Sequence, residues 1–428
     1  MTDKDIAALG PAFARWLGHF RDCFHHDRTA GHFDAYCRGL LSDLPRKTVE
    51  PIALAAGTSV RTLQFFLAGG VRDHRRVLGV LQDRLRDAVA LLPRDALGVV
   101  GVIDETSCVK KGDKTPGVRR QYLGCVGKVD NGVVTVHLGL ACGRFRAMID
   151  ADLYLPASRD DDRDRCDEAG IPAGVTYRPK WEIALGQVVR AVLGGTRFDR
   201  LTFDEGYGSK PAFPEAPSCI GQHFVAEVPV NFSVSLDGRD GALPVNAVLT
   251  AEDARAGRRF RFGRKTRANK WWRAEERWVR VGGREYLPVA AVDQETAEVK
   301  YFLCNATEAP VRTVPAVGFR RATVEHGFRL CKQEAGLTHF EGRQYAGLMR
   351  HLALSLVVMG FVSVRTDRLR GKKSGGDGGA GVPGPERDLL AGDGAGAGDG
   401  AGQAGGRGGP LPPAPQRAGD PLTQEAAA

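Results

Sequence analysis

The sequence predicts an α/β fold: a mixed sheet flanked by helices, with an N-terminal all-helical region and a β-rich insertion. Residues 1–95 repeat apolar side chains at helical spacing. Residues 97–104 are an unbroken apolar run ending on a carboxylate, which is typical of a strand covered on both faces. Apolar and polar side chains alternate in the strand-like parts of residues 222–305. The predicted segments are a helical region 1–95, a first core part 96–221, the insertion 222–305, C-terminal core helices 306–370 and a tail 371–428.

The positive charge of the chain lies in its predicted folded part. The formal net charge is +9, but the tail has five Lys or Arg and seven Asp or Glu and contributes −2. Residues 1–370 therefore carry +11. Such an excess predicts an anionic partner, with nucleic acid ahead of a membrane surface. A merely basic soluble protein is the alternative, because charge alone does not exclude it.

Cysteine usage and hydropathy predict a cytoplasmic protein. The nine Cys residues form no C-x-x-C pair and no Cys/His cluster at zinc spacing. Thiols scattered through apolar segments fit a reduced compartment. No apolar signal region follows the first residues, Met-Thr-Asp-Lys-Asp. The longest apolar run, residues 352–364, is shorter than the roughly 20 residues that span a bilayer, so we expect a core helix and no membrane association.

A pair of short helices is predicted between residues 48 and 67. A small-residue helix ends at Gly57, Thr58 or Ser59 can cap the next helix, and a second apolar-periodic segment follows. The arrangement resembles a helix-turn-helix, whose second helix would present Arg61 and Gln64 to a DNA groove. Helix pairs around a glycine are also common in helical domains that bind nothing, so both readings stay open.

Strand and helix patterns in the first core part place two acids at strand ends. Asp104 closes the apolar run, and Asp204 closes the short run 200–204. Residues 121–126 and 132–141 are predicted as strands joined by a turn at Asp130-Asn131-Gly132, because Asn-Gly is a strong hairpin signal. Residues 181–193 have the pattern of an amphipathic helix.

The densest basic stretch of the chain lies within the insertion and is interleaved with aromatic side chains. It runs through residues 258–273 and offers the candidates Arg264, Lys265, Lys270, Trp271 and Trp272. Cations that bind phosphates, next to rings that stack on unpaired bases, are the combination that nucleic-acid binding needs. The alternative is an exposed β-hairpin with an arginine-rich face.

Residues 320–337 begin with a predicted helix that carries a third acid. At about 100° per residue, Arg321, Glu325 and Lys332 fall within about 40° of one another around the axis. Apolar side chains form a stripe beside them, so the acid sits at the margin of a buried face. The alternative is a surface ion pair, since Arg and Glu four residues apart commonly pair. A second, mostly apolar helix is predicted at 341–364, and the Gly/Ala/Pro-rich tail is predicted to be disordered.

Asp104, Asp204 and Glu325 stand out by their settings. Two of these acids end strands, and the third lies on a helix flanked by Arg321 and Lys332. Ligand sets made only of oxygen suit Mg²⁺ or Mn²⁺. Two such ions about 3.5–4 Å apart would activate a water or hydroxyl and stabilise the leaving oxygen of a phosphodiester.

In this order and setting the three acids resemble the catalytic triad of DDE transposases of the insertion-sequence type. That family has a ribonuclease H-like core and a β-rich insertion between its second and third acids. Arg321-x3-Glu325-x6-Lys332 resembles the Arg–Glu–Lys signature of these enzymes, although Gly318 stands where the signature has a Tyr. Shorter phrases around Asp104 and Asp204 also look like the family's, and the resemblance covers about residues 10–365.

The resemblance implies hydrolysis at transposon ends followed by attack of the freed 3′-hydroxyl on target DNA. Asp104, Asp204 and Glu325 would hold two Mg²⁺ or Mn²⁺ ions, and Arg321 and Lys332 would contact phosphates. A Trp of the insertion would stack on a flipped base.

The expected partners are double-stranded DNA with terminal inverted repeats, target DNA and a second copy of the chain, in a cytoplasmic, nucleoid-associated protein. Two alternatives stay open at this stage: an inactive, transposase-derived DNA-binding or regulatory protein, and a structure-selective nuclease on the same core.

Overall fold

The N-terminal region is all-helical, as predicted. The computed structural model describes residues 3–69, 73–210, 212–262 and 270–374, all within one compact unit. The helices of the N-terminal region are α1 (Asp3–Ala7), α2 (Leu9–Gly18), a 3₁₀ turn (Arg21–Cys23), α3 (Asp27–Leu41), α4 (Val49–Ala55), α5 (Val60–Ala68) and α6 (His74–Ala90).

The remaining helices are distributed between and after the strands. They are α7 (Ala157–Asp160), α8 (Arg163–Glu168), α9 (Lys180–Leu193), α10 (Glu205–Gly208), α11 (Ala212–Cys219), α12 (Val245–Val248), α13 (Ala251–Ala256), α14 (Thr313–Gly318), α15 (Arg321–Glu334) and α16 (Tyr345–Ser374). The predicted helices at 181–193, 320–337 and 341–364 correspond to α9, α15 and α16.

Eleven strands of the described residues form one mixed sheet, which confirms the predicted α/β class. The strands of the chain are β1 (Val99–Val109), β2 (Arg119–Leu123), β3 (Lys128–Cys142), β4 (Phe145–Tyr154), β5 (Arg200–Phe203), β6 (Phe224–Val228), β7 (Ser233–Val234), β8 (Leu243–Pro244), β9 (Arg258–Phe262), β10 (Lys270–Glu276), β11 (Val279–Val281), β12 (Arg284–Asp293) and β13 (Val299–Cys304). The sheet order is β2-β3-β1-β5-β6-β13-β12-β10-β9, with β4 on β3 and β11 on β12, while β7 and β8 pair separately.

The centre of this sheet is parallel and its two sides are antiparallel. Strand β5 pairs parallel with β1 on one side and with β6 on the other. Helices α9, α15 and α16 pack against β1, β3 and β4. A large mixed sheet flanked by helices, with a helical N-terminal region, is consistent with a ribonuclease H-like fold. The strands of the β-rich segment continue this sheet through the pairing of β13 with β6.

Helix α16 connects the N-terminal helices to the sheet. The Trp16 indole donates a hydrogen bond to the Val357 carbonyl at 3.0 Å, and the Tyr36 hydroxyl lies 2.9 Å from His351 Nδ1. Arg350 donates to the Leu67 carbonyl at 2.6 Å. Residues 345–370 are long and apolar enough to cross a membrane, but 89 % of the apolar window is buried within the protein, as in a core helix. The helix ends at Ser374, four residues into the predicted tail, and residues 375–428 lie outside the described residues.

Two details of the predicted strands are wrong. Strand β1 does not stop at Asp104 but continues to Val109, because its antiparallel pairing with β3 extends along its whole length. The turn between β2 and β3 lies at residues 124–127, where Gly127 takes a φ of +66°, and not at the Asn-Gly pair. Gly132 lies inside β3, where a Cβ would come within 2.5 Å of the Cys108 carbonyl oxygen. This glycine allows a close approach of strands rather than a reversal of the chain.

Candidate active site

Two of the predicted acids lie at the same end of adjacent parallel strands. The register between β1 and β5 pairs Val100 with Arg200 and Val102 with Thr202, so residues 104 and 204 follow at the same level. Asp104 lies where β1 has passed its parallel neighbour. Asp204 follows β5 and begins α10, where its carboxylate accepts a hydrogen bond from the Tyr207 amide at 3.3 Å. Because the carboxyl ends of parallel strands meet at one edge, the two side chains are brought together.

Helix α15 brings the third acid to this edge. Its buried side chains, Phe328 and Cys331, face the sheet, and the Phe328 ring packs edge-on against His137 of β3 at 5.0 Å. Burying these groups fixes the rotation of the helix, so the margin beside this buried face presents Arg321 and Glu325 toward the end of β1. Glu325 keeps 54 % of its side chain exposed and therefore reaches solvent.

All three acids surround the guanidinium of Arg321. Its Nη1 lies 3.0 Å from Glu325 Oε1, 3.9 Å from Asp104 Oδ2 and 3.9 Å from Asp204 Oδ2. Because none of these distances exceeds 3.9 Å, any two of the three carboxylate oxygens lie within twice that distance of each other. Side chains that are far apart in the sequence thus form one acidic triad around one cation.

The electrostatics of the triad show a surplus of negative charge. Burial, and next the neighbouring Asp204, raise the pKa of Asp104 to about 7, although Arg321 acts in the opposite direction. Burial also raises the pKa of Asp204. Burial by itself would lower the pKa of the Arg321 guanidinium. The surrounding carboxylates outweigh burial and raise this pKa. One arginine therefore does not fully compensate the three acids.

The donor set of the triad fits a hard divalent cation. Three carboxylates already gather around a positive charge, and carboxylate oxygens are the ligands that Mg²⁺ and Mn²⁺ prefer. The buried hydroxyl of Tyr207 has no hydrogen-bond partner within the described part of the chain. Burial raises its pKa, and the charges of Glu105, Asp204 and Asp104 raise it further. This hydroxyl therefore leaves one donor unused near these acids. As the described side chains stand, no three His, Cys, Asp or Glu residues approach closely enough to hold a metal, because Arg321 lies between the acids.

A fourth acid, Glu227, belongs to the site and was missed by sequence reasoning. It is the penultimate residue of β6, whose parallel register pairs Ala226 with Phe203, so Glu227 is level with Asp204. Its Oε2 lies 3.8 Å from Arg321 Nη2, and its Oε1 lies 2.5 Å from Lys300 Nζ. The available signal resembles that for Asp204: an acid near the end of a short apolar strand.

The rest of the Arg–Glu–Lys pattern follows the same helix. Lys332 is half-buried. The burial of His137, and next the charge of Lys332, lower the pKa of His137 to about 3. Gly318, which stands where the signature has a Tyr, ends α14 against Phe302. A Cβ at this position would come within 2.4 Å of the Phe302 ring, so a larger side chain would require that ring to move. Phe302 thus fills the space next to this position.

The predicted helix pair near the N-terminus is present as α4 and α5. Gly57 separates them with a φ of +62°, a left-handed conformation that terminates the first helix. Leu63, Phe66 and Leu67 bury one face of α5, whereas Arg61 and Gln64 lie exposed on its other side. The structure therefore places both predicted contact residues on an accessible surface.

The two tryptophans of the basic stretch have different environments. Trp272 is 5 % exposed and its ring packs against Phe319 at 4.7 Å, so it does not face solvent. Trp271 is half-buried, with the Arg259 guanidinium 4.0 Å from its ring centroid. Lys270 pairs with Asp293 at 2.6 Å. Arg264 and Lys265 lie outside the described residues.

Comparison with known proteins gives two matches. The sequence profile of a family described as DDE superfamily endonuclease matches residues 19–287. The chain is 28 % identical over 229 residues to a protein of Microchaete diplosiphon named as a probable transposase for insertion sequence element IS701. The aligned part is 52 % of this chain and 52 % of that relative, so the chain spans about half the length of the relative it matches. The profile match includes Asp104, Asp204 and Glu227, whereas Glu325 lies beyond it.

Proposed function

This chain belongs to the DDE superfamily of endonucleases, and we propose that it is a DNA transposase. It would cleave phosphodiester bonds at transposon ends in a metal-dependent reaction and join the resulting 3′-hydroxyl to target DNA. The observation that carries this proposal is the gathering of Asp104, Asp204 and Glu325 around Arg321 Nη1. The transposase name of the relative from Microchaete diplosiphon supports strand transfer over simple hydrolysis.

The acids would hold the metal, and the neighbouring cations would hold the DNA. Asp104, Asp204 and Glu325 are proposed as ligands of two Mg²⁺ or Mn²⁺ ions. When bound, such ions activate a water or hydroxyl nucleophile and stabilise the leaving oxygen. Arg321 and Lys332 lie along the same helix face and would bind phosphates beside the cleaved bond.

DNA contacts outside the acidic triad are proposed for two surfaces. Arg61 and Gln64 on the exposed side of α5 would enter a groove of the terminal repeat. On β10, which pairs antiparallel with β9, Trp271 is the indole we propose for stacking on an unpaired base, because Trp272 is packed inside the protein. Lys270 is also proposed for a phosphate contact, as are Arg264 and Lys265, which lie outside the described residues. The proposed substrates are duplexes with terminal inverted repeats, bridged by a dimer of the chain in a nucleoid-associated, cytoplasmic setting.

The experiment is a cleavage and joining assay with DNA carrying the inverted repeats that flank the gene, in Mg²⁺ or Mn²⁺. Asp104→Asn, Asp204→Asn and Glu325→Gln should each reduce nicking by at least about 100-fold while leaving DNA binding within a few-fold of wild type. Glu168→Gln is the matched control, because this carboxylate is exposed and, among the described residues, forms its salt bridge with Lys114.

The outcomes separate transposition from the other functions. Nicking together with strand-transfer products supports the proposal. Nicking without joined products would indicate a structure-selective nuclease. Full DNA binding with no metal-dependent nicking in wild type would indicate an inactive, regulatory descendant of a transposase. Unchanged nicking in all three acid variants would overturn the assignment of the site.

A further inference from the structure

The guanidinium of Arg321 has two sides that face different carboxylates. Nη1 faces the acidic triad, at 3.0 Å from Glu325 and 3.9 Å from each of Asp104 and Asp204. Nη2 faces Glu227 instead, at 3.8 Å. A planar guanidinium presents five N–H donors in a fixed fork, so it can serve both groups at once. Its present position is therefore shared between the triad and Glu227.

Arg321 and a metal ion cannot both occupy the middle of the triad. A divalent cation at this position would lie beside a second positive charge at close range, in a partly buried site where charges interact strongly. The arginine must move aside before the three acids can coordinate an ion. Because its Nη2 already points toward Glu227, the shortest displacement closes the 3.8 Å separation to an ordinary hydrogen bond.

Glu227 is fixed in a way that suits it to receive the arginine. It lies in β6, between β5 and β13 in the sheet, so its backbone is held by both neighbours. Its Oε1 is bound by Lys300 at 2.5 Å, which leaves Oε2 directed to Arg321. The side chain is largely buried, whereas the alternative partner Glu325 is mainly exposed.

We propose that Glu227 is a positioning residue, which holds Arg321 beside the triad when the acids bind metal. This inference rests on the proposed metal-dependent function of the triad. In the metal-free protein Arg321 compensates the acids; on metal binding Glu227 retains the guanidinium at the edge of the site. There it keeps donors free for a DNA phosphate. Arg321 thus competes with the metal, and Glu227 weakens that competition.

The test measures Mn²⁺ binding to the whole 428-residue chain without DNA, with electron paramagnetic resonance as the readout. Arg321→Ala should bind Mn²⁺ at least about 10-fold more tightly than wild type, because the competing cation is gone. Glu227→Gln should bind it several-fold more weakly, because Arg321 then has only the triad as a partner. In the Arg321→Ala background, Glu227→Gln should change Mn²⁺ affinity less than about 2-fold.

Two further variants keep the test specific. Glu227→Asp keeps the negative charge but withdraws the carboxylate, so it should also weaken Mn²⁺ binding, and only when Arg321 is present. This variant replaces Glu227→Gln if Glu227→Gln does not fold. Glu298→Gln is the control. Glu298 approaches Lys300 at 3.7 Å, and its substitution removes the same charge as Glu227→Gln. This control should leave Mn²⁺ affinity unchanged.

Failure of the inference differs from failure of the proposed function. If Glu227→Gln weakens Mn²⁺ binding equally with and without Arg321, Glu227 is a ligand or a general source of negative potential, and the positioning role is wrong. Unchanged affinity in Arg321→Ala would likewise overturn the competition. If Asp104→Asn retains full Mn²⁺ binding in the Arg321→Ala background, the metal does not bind at the triad and the proposed function itself fails.

Discussion

The acidic triad and a second cluster of acids in the same sheet show how similar residues serve different ends. In the second cluster, Asp150 and Asp152 of β4 meet Arg75 of α6 and Arg190 of α9. Arg75 lies 3.1 Å from Asp150 and also pairs with Asp152. Arg190 donates to Asp150 at 3.1 and 2.9 Å and pairs with Asp152 as well. We refer to these four residues as the buried ion-pair cluster.

The two clusters differ in their balance of charge. The buried ion-pair cluster has two acids and two arginines, and Gln187 adds a hydrogen bond to Asp152 at 3.2 Å. Burial raises the pKa of Asp152, but Arg75 and Arg190 outweigh this and leave it below its ordinary value. Burial, and next the charge of Asp152, raise the pKa of its neighbour Asp150 to about 6, so the pair as a whole holds its two charges only with both arginines in place. In the triad one arginine faces three acids, and the pKa of Asp104 is raised to about 7. A cluster whose acids and arginines balance holds elements together, whereas a cluster with surplus negative charge can accept another cation.

The buried ion-pair cluster also has a clear mechanical role. Arg75 belongs to the N-terminal helical region, Arg190 to α9, and both meet on the same strand of the sheet. The cluster therefore joins three elements that are distant in the sequence. Breaking a buried pair leaves an uncompensated charge, which is far more destabilising than the pair is stabilising.

The largest expected effect on stability comes from removing an arginine of the buried ion-pair cluster. Arg190→Met should lower the free energy of unfolding by about 3–5 kcal/mol, because two buried carboxylates lose a partner. Arg321→Met should lower it by about 1 kcal/mol or less, because Asp104 can take up a proton and Glu325 is hydrated. Urea unfolding of both variants in EDTA measures the difference. Equal losses would show that the triad is as structural as the other cluster.

Removing one acid should act in opposite directions in the two clusters. Asp152→Asn should cost about 2–3 kcal/mol, since Arg75 and Arg190 would share a single carboxylate. Asp104→Asn should stabilise the metal-free protein by about 1–3 kcal/mol at pH 8, because it removes a buried, poorly compensated charge. The measurement is thermal and urea unfolding in EDTA. A destabilised Asp104→Asn protein at this pH would contradict the surplus of charge in the triad.

The stabilisation by Asp104→Asn should depend on pH in a defined window. The pKa of Asp104 is raised in the folded protein to about 7, from an unfolded value of about 4, so the folded state holds the proton more firmly. The wild-type protein therefore loses stability relative to the variant as pH rises between these values. The advantage of Asp104→Asn should be small near pH 4, grow up to about pH 7 and then level off. An advantage that is constant across this range would contradict the raised pKa.

Sequence reasoning identified the triad but not its surroundings. Apolar runs that close on an acid indicated Asp104 and Asp204, and helical spacing put Arg321 on the same face as Glu325. These patterns report burial and local direction. They do not report which strands are neighbours, so the level position of Glu227 beside Asp204 was not visible. The assembly of the three acids as one site came from the family resemblance rather than from spacing.

The errors in the fold have the same origin. No strand is predicted at residues 145–154, where the structure has β4 with two acids that are paired by arginines on two helices. The Asn-Gly pair predicts a turn, although its glycine serves strand packing within β3. In both places a long-range partner decided the local structure, and no window along the chain contains that partner.

The smallest effect in this comparison comes from replacing arginine with lysine, which keeps the charge and loses the planar fork. Arg190 donates through two nitrogens to Asp150 and also reaches Asp152, so Arg190→Lys should cost about 1–2 kcal/mol. Arg321 makes one contact of hydrogen-bond length within the triad, to exposed Glu325, while its other separations are 3.8–3.9 Å. Arg321→Lys should therefore change stability by less than about 0.5 kcal/mol, because a charge without directed hydrogen bonds is easily replaced by another. Urea unfolding at pH 8 in EDTA resolves the two values, and a larger loss for Arg321→Lys than for Arg190→Lys would show that the guanidinium is bound in the triad by its shape rather than by its charge.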